Sequence, residues 1–254
     1  MTPDAQQRWP ERLWIVRHGE SAGNVARDAA TLGGLELIDI AERDVDVPLS
    51  QLGHTQAAAL GSWFAALPEE SRPNVVFTSP YLRARETLDY IVRAGGVDTS
   101  DPPRIDERLR EKEFGILDRL TRRGIEQRFP AQAAARDRVG KFYHRPPGGE
   151  AWTDVILRLR TFADTISLHY SRPGCRVLVV AHQVIVLCMR YLIEEMDEAT
   201  ILAIDARGDV ANCGVTEYEL EDGTLAMAKY NFTAPLEREG APVTAAPDTP
   251  SAAK

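Results

Sequence analysis

Short apolar runs alternate along this chain with longer stretches whose apolar residues recur every three or four positions. Leu13–Val16, Val75–Thr78 and Arg176–Ala181 are β-branched, apolar and bounded by polar or turn residues, the pattern of buried strands. Val215–Leu220 and Leu225–Tyr230 face each other across "EDGT", which predicts a hairpin. Between the first runs, "LSQLGHTQAAALGSWFAAL" places Leu52, Ala59, Leu60, Trp63, Phe64 and Leu67 on one helical face, with Ser50 as N-cap. "SPYLRARETLDYIV" repeats apolar groups at Tyr81, Ala84, Leu88 and Ile91. "EAWTDVILRLRTFADTISLHY" does so at Trp152, Val155, Ile156, Leu159, Phe162, Ala163 and Ile166.

Strands alternating with helices predict an α/β fold: a single-domain three-layer sandwich with a mostly parallel central sheet and helices on both faces. Residues 1–10 are polar, and the tail 233–254 is rich in Pro, Ala and charge. Both read as disordered, which leaves 11–232 as the folded domain. No linker or internal repeat divides it. Val25 to Val47 reads as one long loop containing the acidic stretch "DIAERDVDV".

Composition changes this picture little. The 254 residues are 44% hydrophobic and 27% charged, ordinary values for a globular protein. A net charge of −8 argues against nucleic-acid binding. The charge is uneven, however: Arg104 to Arg145 holds 12 Lys+Arg against 7 Asp+Glu, a local +5 that leaves −13 for the rest. One basic segment in an acidic protein suits a small anionic ligand, although a solvated helical face gives the same count. Cys175, Cys188 and Cys213 show no C-x-x-C spacing, as expected in a reducing cytoplasm. The N-terminus has no secretory apolar region, and no run approaches a membrane span. The expected location is cytoplasmic, with no membrane or nucleic-acid partner; the oligomeric state stays open.

The candidate chemistry sits where strands end. The run to Val16 stops in Arg17-His18, "RVLVVAHQ" stops in His182, and "NVVFTSP" leads into a helix carrying Arg83 in its first turn. In open α/β sheets, ligands bind at the carboxyl ends of strands. Adjacent ends would gather two imidazoles and two guanidiniums, beside the positive end of the helix after Ser79. That set suits a tetrahedral dianion, because guanidinium binds phosphate through two parallel charged hydrogen bonds. His54, His144 and His169 carry no such context and read as structural or surface histidines.

"RHGESAGN" at 17–24 resembles the signature of the histidine phosphatase superfamily, the phosphoglycerate mutase-like proteins. "PLSQLGHTQA" at 48–57, "TSPYLRARET" at 78–87, "RLREKEFGILD" at 108–118, "PPGGEAW" at 146–152 and the "VLVVAHQ" stretch match further family segments in the same order. The resemblance implies that His18 is a phosphate-accepting nucleophile, with its other ring nitrogen held by a backbone carbonyl in a tight turn at Gly19. It implies that Arg17, Arg83 and His182 bind the phosphoryl oxygens, and that Asn24 adds a neutral donor. Glu111 would be the proton donor and then the base. Spacing alone does not choose Glu111 over Glu107 or Glu113. Glu20 falls outside the set, as a supporting or surface residue.

Some positions depart from the family pattern. Gln183 stands where Gly is frequent, and it is counted here as a phosphate-site amide; Arg119 replaces a Gly and Ala151 a Ser. In the mutases an extra loop with paired arginines precedes the last long helix, and "AARDRVGKFYHRPPGGE" lacks the pair. The expected function is therefore a metal-independent phosphomonoesterase, without cofactor, acting through phosphohistidine on a small phosphorylated metabolite such as a phosphosugar. Arg122, Arg123, Arg136, Arg138 and Lys141 are candidates for holding a second anionic group. Mutase-type transfer and a non-catalytic phospho-ligand module are the alternatives. A kinase is excluded for want of any G-x-x-x-x-G-K-[ST] run.

Overall fold

The structure, a computed structural model, describes residues 8–98 and 101–245. Six strands form one sheet: β1 (Arg12–Arg17), β2 (Val75–Thr78), β3 (Arg104–Ile105), β4 (Arg176–Ala181), β5 (Val215–Glu221) and β6 (Thr224–Phe232). Their spatial order is β3-β2-β4-β1-β5-β6. The β1–β4, β2–β4 and β2–β3 pairs are parallel, and β5 and β6 add an antiparallel edge. The β5–β6 turn uses Asp222 and Gly223, both at positive φ, as a tight hairpin requires.

Alternation along β1 divides the core into two layers. Leu13 and Ile15 face α6 (Trp152–His169) and α7 (Gln183–Ile193), together with Val177 and Val179 of β4. Trp14 and Val16 face the other side, against α2 (Gln51–Ala65) and α3 (Leu82–Arg93). The sandwich is thus the one expected. Ser50 caps α2 by accepting from the Gly53 N–H at 3.0 Å.

The structure corrects some of these readings and adds elements to others. The stretch beginning at Val25 is not all loop: α1 (Ala22–Leu32) runs through its start, nucleated by a reciprocal Ser21–Asn24 capping box. The basic segment contains α4 (Arg122–Arg128) and α5 (Pro130–Tyr143), with Pro130 in the first turn and a kink at Gly140, φ +82°. The helix α8 (Glu198–Arg207) and strand β3 lack a strong apolar period and were not expected. Lastly, the tail is ordered to residue 245: α9 (Ala234–Arg238) buries Leu236 completely against the α2 layer. One fully buried leucine outweighs the polar composition around it. At the other end Trp9 packs on the core, so order begins before residue 11. Residues 1–7 and 246–254 lie outside the described residues.

Candidate active site

Strand register builds the site. Arg17 pairs with Ala181 and Thr78 with Val180, so the next residues, His18, His182 and Ser79, emerge side by side. The two imidazoles lie 5.1 Å apart between centroids, tilted by 63°. Arg17, His18 and His182 are wholly buried, and Arg83 is 3% exposed.

His18 is held in one tautomer. Its Nδ1 lies 2.6 Å from the Gly19 carbonyl, an acceptor only, so Nδ1 carries the proton and donates. The remaining nitrogen, Nε2, accepts from Arg83 Nε at 3.2 Å and so presents a lone pair. Gly19 has no positive φ, so it does not supply a left-handed backbone here. Its lack of a side chain serves close packing instead, since a Cβ would come 2.7 Å from the Gly53 carbonyl. Gly53 is tighter still, with a Cβ only 1.9 Å from Glu20 O. The "QLGHTQA" segment therefore presses the first turn of α2 directly against the His18–Glu20 turn.

The loop 208–214 encloses the same turn from the other side. Arg17 Nη1 donates to Val210 O, and Asn212 Nδ2 donates to the His18 carbonyl at 3.2 Å. Asn212 is in turn fixed by Thr244 Oγ1 at 3.0 Å, and Gln56 Nε2 donates to Thr244 Oγ1 at 2.9 Å. His182 Nε2 meets Ser79 Oγ at 2.7 Å. Sequence reasoning missed Ser79 and Asn212. Ser79 was legible as a third strand-end residue, whereas Asn212 carries no motif signal.

Glu111 is 1% exposed, and its Oε1 accepts from the Lys112 N–H at 2.7 Å. Its segment is docked from two sides. Arg158 Nη2 donates to the Glu111 carbonyl at 3.3 Å, and Glu150 exchanges backbone and side-chain hydrogen bonds with Glu113. Burial pushes the Glu150 carboxyl up, but hydrogen bonds from Arg158 outweigh it and hold the group below the usual range. "PPGGEAW" thus clamps the Glu111 segment: a Cβ on Gly115, φ +55°, would meet Pro147 O at 2.1 Å. Tyr81 completes the link to the cradle. Its hydroxyl donates to Glu113 Oε1 at 2.9 Å, while its ring lies 5.1 Å from His182 and 4.9 Å below the Arg83 guanidinium.

Asn24 is 3% exposed, with Oδ1 taken by the Ser21 N–H and hydroxyl, so its amide nitrogen forms the donor end. Gln183 opens α7 and donates from Nε2 to Asp209 Oδ1 at 2.6 Å, tethering that helix to the loop that holds Arg17. Glu20 accepts from the Ser50 hydroxyl at 2.6 Å, a supporting place as expected.

A cavity of about 200 Å³ opens beside Lys112, under α4 and α5. Arg122, Arg136, Lys141 and His144 reach its wall; Arg123 and Arg138 do not. Its apolar side is Phe114, Leu117, Ile125 and Trp152. Arg122 is paired with Glu126 at 2.7 Å and Lys141 with Asp205 at 2.5 Å. Lys112, 7% exposed, has no carboxylate within 4.0 Å among the described residues and rests its ammonium 4.5 Å over the Phe114 ring. Burial is the main force pulling its pKa down to about 8, with Arg136 adding to the fall and Glu111 opposing it. His144 is likewise depressed, by burial first and then by Arg136 and Lys112. It is therefore part of this basic wall, unlike His54, which stacks near Tyr90, and His169, which lies beside Tyr170.

A twisted, mostly parallel sheet whose strand ends gather two histidines and two arginines defines an α/β phosphoryl-handling protein. The chain belongs to the histidine phosphatase superfamily (branch 1), whose profile matches residues 13–233. It is 26% identical over 239 residues to a phosphoglycerate mutase-like protein of Arabidopsis thaliana, covering 88% of this chain and 77% of that one. To a 2,3-bisphosphoglycerate-dependent phosphoglycerate mutase of Gloeobacter violaceus it is 30% identical, covering 85% and 89%. Other curated relatives are longer, and the chain spans 49% and 33% of two of them. In fold it resembles a mycobacterial glucosyl-3-phosphoglycerate phosphatase solved with inorganic phosphate, at TM-score 0.66 and 23% identity, covering 89% and 99%. Among the described residues, no helix is long and apolar enough to cross a membrane.

Proposed function

We propose that this protein is a metal-independent phosphomonoesterase, acting through phosphohistidine on a small phosphorylated metabolite that carries a second anionic group. The observation that carries the reading is the His18 tautomer: Nδ1 is tied to Gly19 O, so Nε2 bears the lone pair inside a cationic cradle, held by Arg83 Nε until that donor passes to the incoming phosphoryl group. Nε2 attacks phosphorus as the P–O bond to the leaving group breaks, its electron pair passing to the alkoxide oxygen. Glu111 gives that oxygen its proton. A water then attacks the phosphohistidine and loses a proton to the Glu111 carboxylate. The P–N bond breaks with its pair returning to Nε2, and inorganic phosphate is left.

Arg17, Arg83 and His182 balance the charge on the equatorial oxygens, so the positive charge that a metal could bring is already supplied by side chains. Asn24 adds a neutral donor, and Gln183 offers its second amide hydrogen. The cavity at Lys112 and Arg136 takes the second anionic group, with Phe114 and Trp152 against the carbon skeleton. Three free, buried cysteines fit a reducing cytoplasm.

The test is phosphate release from an aryl phosphate, wild type beside His18→Ala, with and without chelator. Activity that resists chelator and vanishes in the variant is expected; loss with chelator, or survival in His18→Ala, sinks the reading. The likeness to a phosphoglycerate mutase supports a second reading, transfer between phosphoglycerates. Turnover of phosphoglycerate primed with bisphosphate, without net phosphate release, would favour it.

A further inference from the structure

The segment joining α1 to α2 does more than connect them. Between Gly33 and Ser50 it carries Glu36, Asp39, Glu42, Asp44 and Asp46 against one basic residue, Arg43. Its near end is stitched to the segment after Glu111, through a Leu37–Leu120 bridge and an Ile38 N–H to Arg119 O bond of 2.9 Å. Arg119 donates to Glu42 O at 2.6 Å. Its far end is anchored by Val47 and Leu49, 3% and 5% exposed. Between the anchors, a short 3₁₀ turn at Asp44–Asp46 reaches the cradle. There Arg83 Nη1 donates to Asp44 O at 2.7 Å and to Asp44 Oδ1 at 3.0 Å.

A guanidinium has five N–H donors. Here the two on Nη1 are bonded to Asp44 and the one on Nε to His18. A phosphoryl group that takes the Nη1–Nη2 fork must therefore displace the Asp44 carboxylate. One that takes the other edge of the guanidinium still binds beside a fixed negative charge. The field of Asp44 is felt nearby: together with burial, the larger cause, it pushes the Asp118 carboxyl up.

Resting on the reading of this cradle as a phosphate site, we propose that Asp44 is a specificity-determining residue, an internal competitor that weakens the hold on free phosphate. A whole substrate, anchored also at Lys112 and Arg136, outcompetes the carboxylate. Free phosphate, lacking that anchor, leaves readily. The strap so favours two-point substrates over small phosphate esters and limits product inhibition. A mere tether for the Arg83 side chain would act with the opposite sign, since its removal would loosen Arg83 and weaken phosphate binding.

The experiment is titration calorimetry of inorganic phosphate into wild type, Asp44→Asn, Asp44→Ala, Arg119→Ala and Arg83→Ala, with aryl phosphate turnover measured in parallel. Phosphate affinity is expected to rise about tenfold in both Asp44 variants, an energy of about 1.4 kcal/mol. It should rise less in Arg119→Ala, which only slackens the strap. Unchanged or weaker phosphate binding in Asp44→Ala overturns the proposal. Phosphate binding that is absent from wild type and from both Asp44 variants, or indifferent to Arg83→Ala, overturns the phosphate-site reading and this proposal with it. Arg83-dependent binding that tightens in the Asp44 variants, without turnover in any protein, sinks the phosphatase reading alone and upholds the competitor.

Discussion

The strand-end cradle and the cavity under α4 and α5 are both basic, yet they are built in opposite ways. In the cradle the groups are fixed by defined hydrogen bonds: His18 by the adjacent Gly19 O, and Arg17 and His182 from elsewhere in the fold, by Val210 O and Ser79. In the cavity, burial first pulls Lys112, Arg136 and His144 towards their uncharged forms, and neighbouring cations add to it: Arg136 acts on Lys112 and His144, and Arg122 on Arg136. The cradle is preorganised: Arg17, His18 and His182 are set before charge develops, and only the Asp44 carboxylate gives way to a substrate. The cavity holds unfavourable electrostatic energy that an incoming anion relieves. One region is suited to performing the reaction, the other to choosing what undergoes it.

The comparison is most exposed at the nucleophile. His18→Ala should lower kcat by about a thousandfold or more while leaving the thermal midpoint within a few degrees. An acid-labile phosphoenzyme, trapped from wild type and absent from the variant, is the direct readout. Next comes Arg83→Ala, expected to cost about a hundredfold or more in kcat/KM by removing a donor aimed at developing charge. Steady-state kinetics with aryl phosphate suffices, and a merely twofold change would deny the cradle its preorganised role.

In the cavity the sign reverses. Lys112→Met should stabilise the protein at pH 7 by about 2 kcal/mol, because the folded state holds a lysine whose pKa has fallen to about 8. The unfolded chain binds the extra proton between pH 8 and 10.5, so wild-type stability rises with pH across that window and the gap should close. Urea denaturation at pH 7 and pH 10 measures it; a variant less stable at pH 7 would contradict the picture of stored repulsion. Smallest is Arg136→Ala, which should raise KM about tenfold for substrates with a second anionic group and leave aryl phosphate unaffected. Equal effects on both substrates would merge the two regions into one.

Much of the fold could be read locally. The strands β1, β2, β4, β5 and β6 and the helices α2, α3 and α6 have strong apolar periods, because each buries a face against the sheet. The strand β3 has only two residues; α4 and α8 start at the caps Thr121 and Asp197 and α5 at Pro130, so periodicity did not show them. The tail misled for a related reason: a few residues, Leu236 with Pro235 and Ala241, supply the burial that orders it.

The family resemblance, the alternation of strands and helices, and the residues at strand ends were all legible along the chain. Those follow from hydrophobic period and from short motifs, both local properties of the chain. It took the folded chain to place Asp44 on Arg83, to set Asn212 and Thr244 behind His18, and to bring Lys112, Arg136 and His144 to one cavity. These partners lie on loops and short helices far apart in sequence. Their meeting depends on strand register and on the packing of whole elements, which no local pattern encodes.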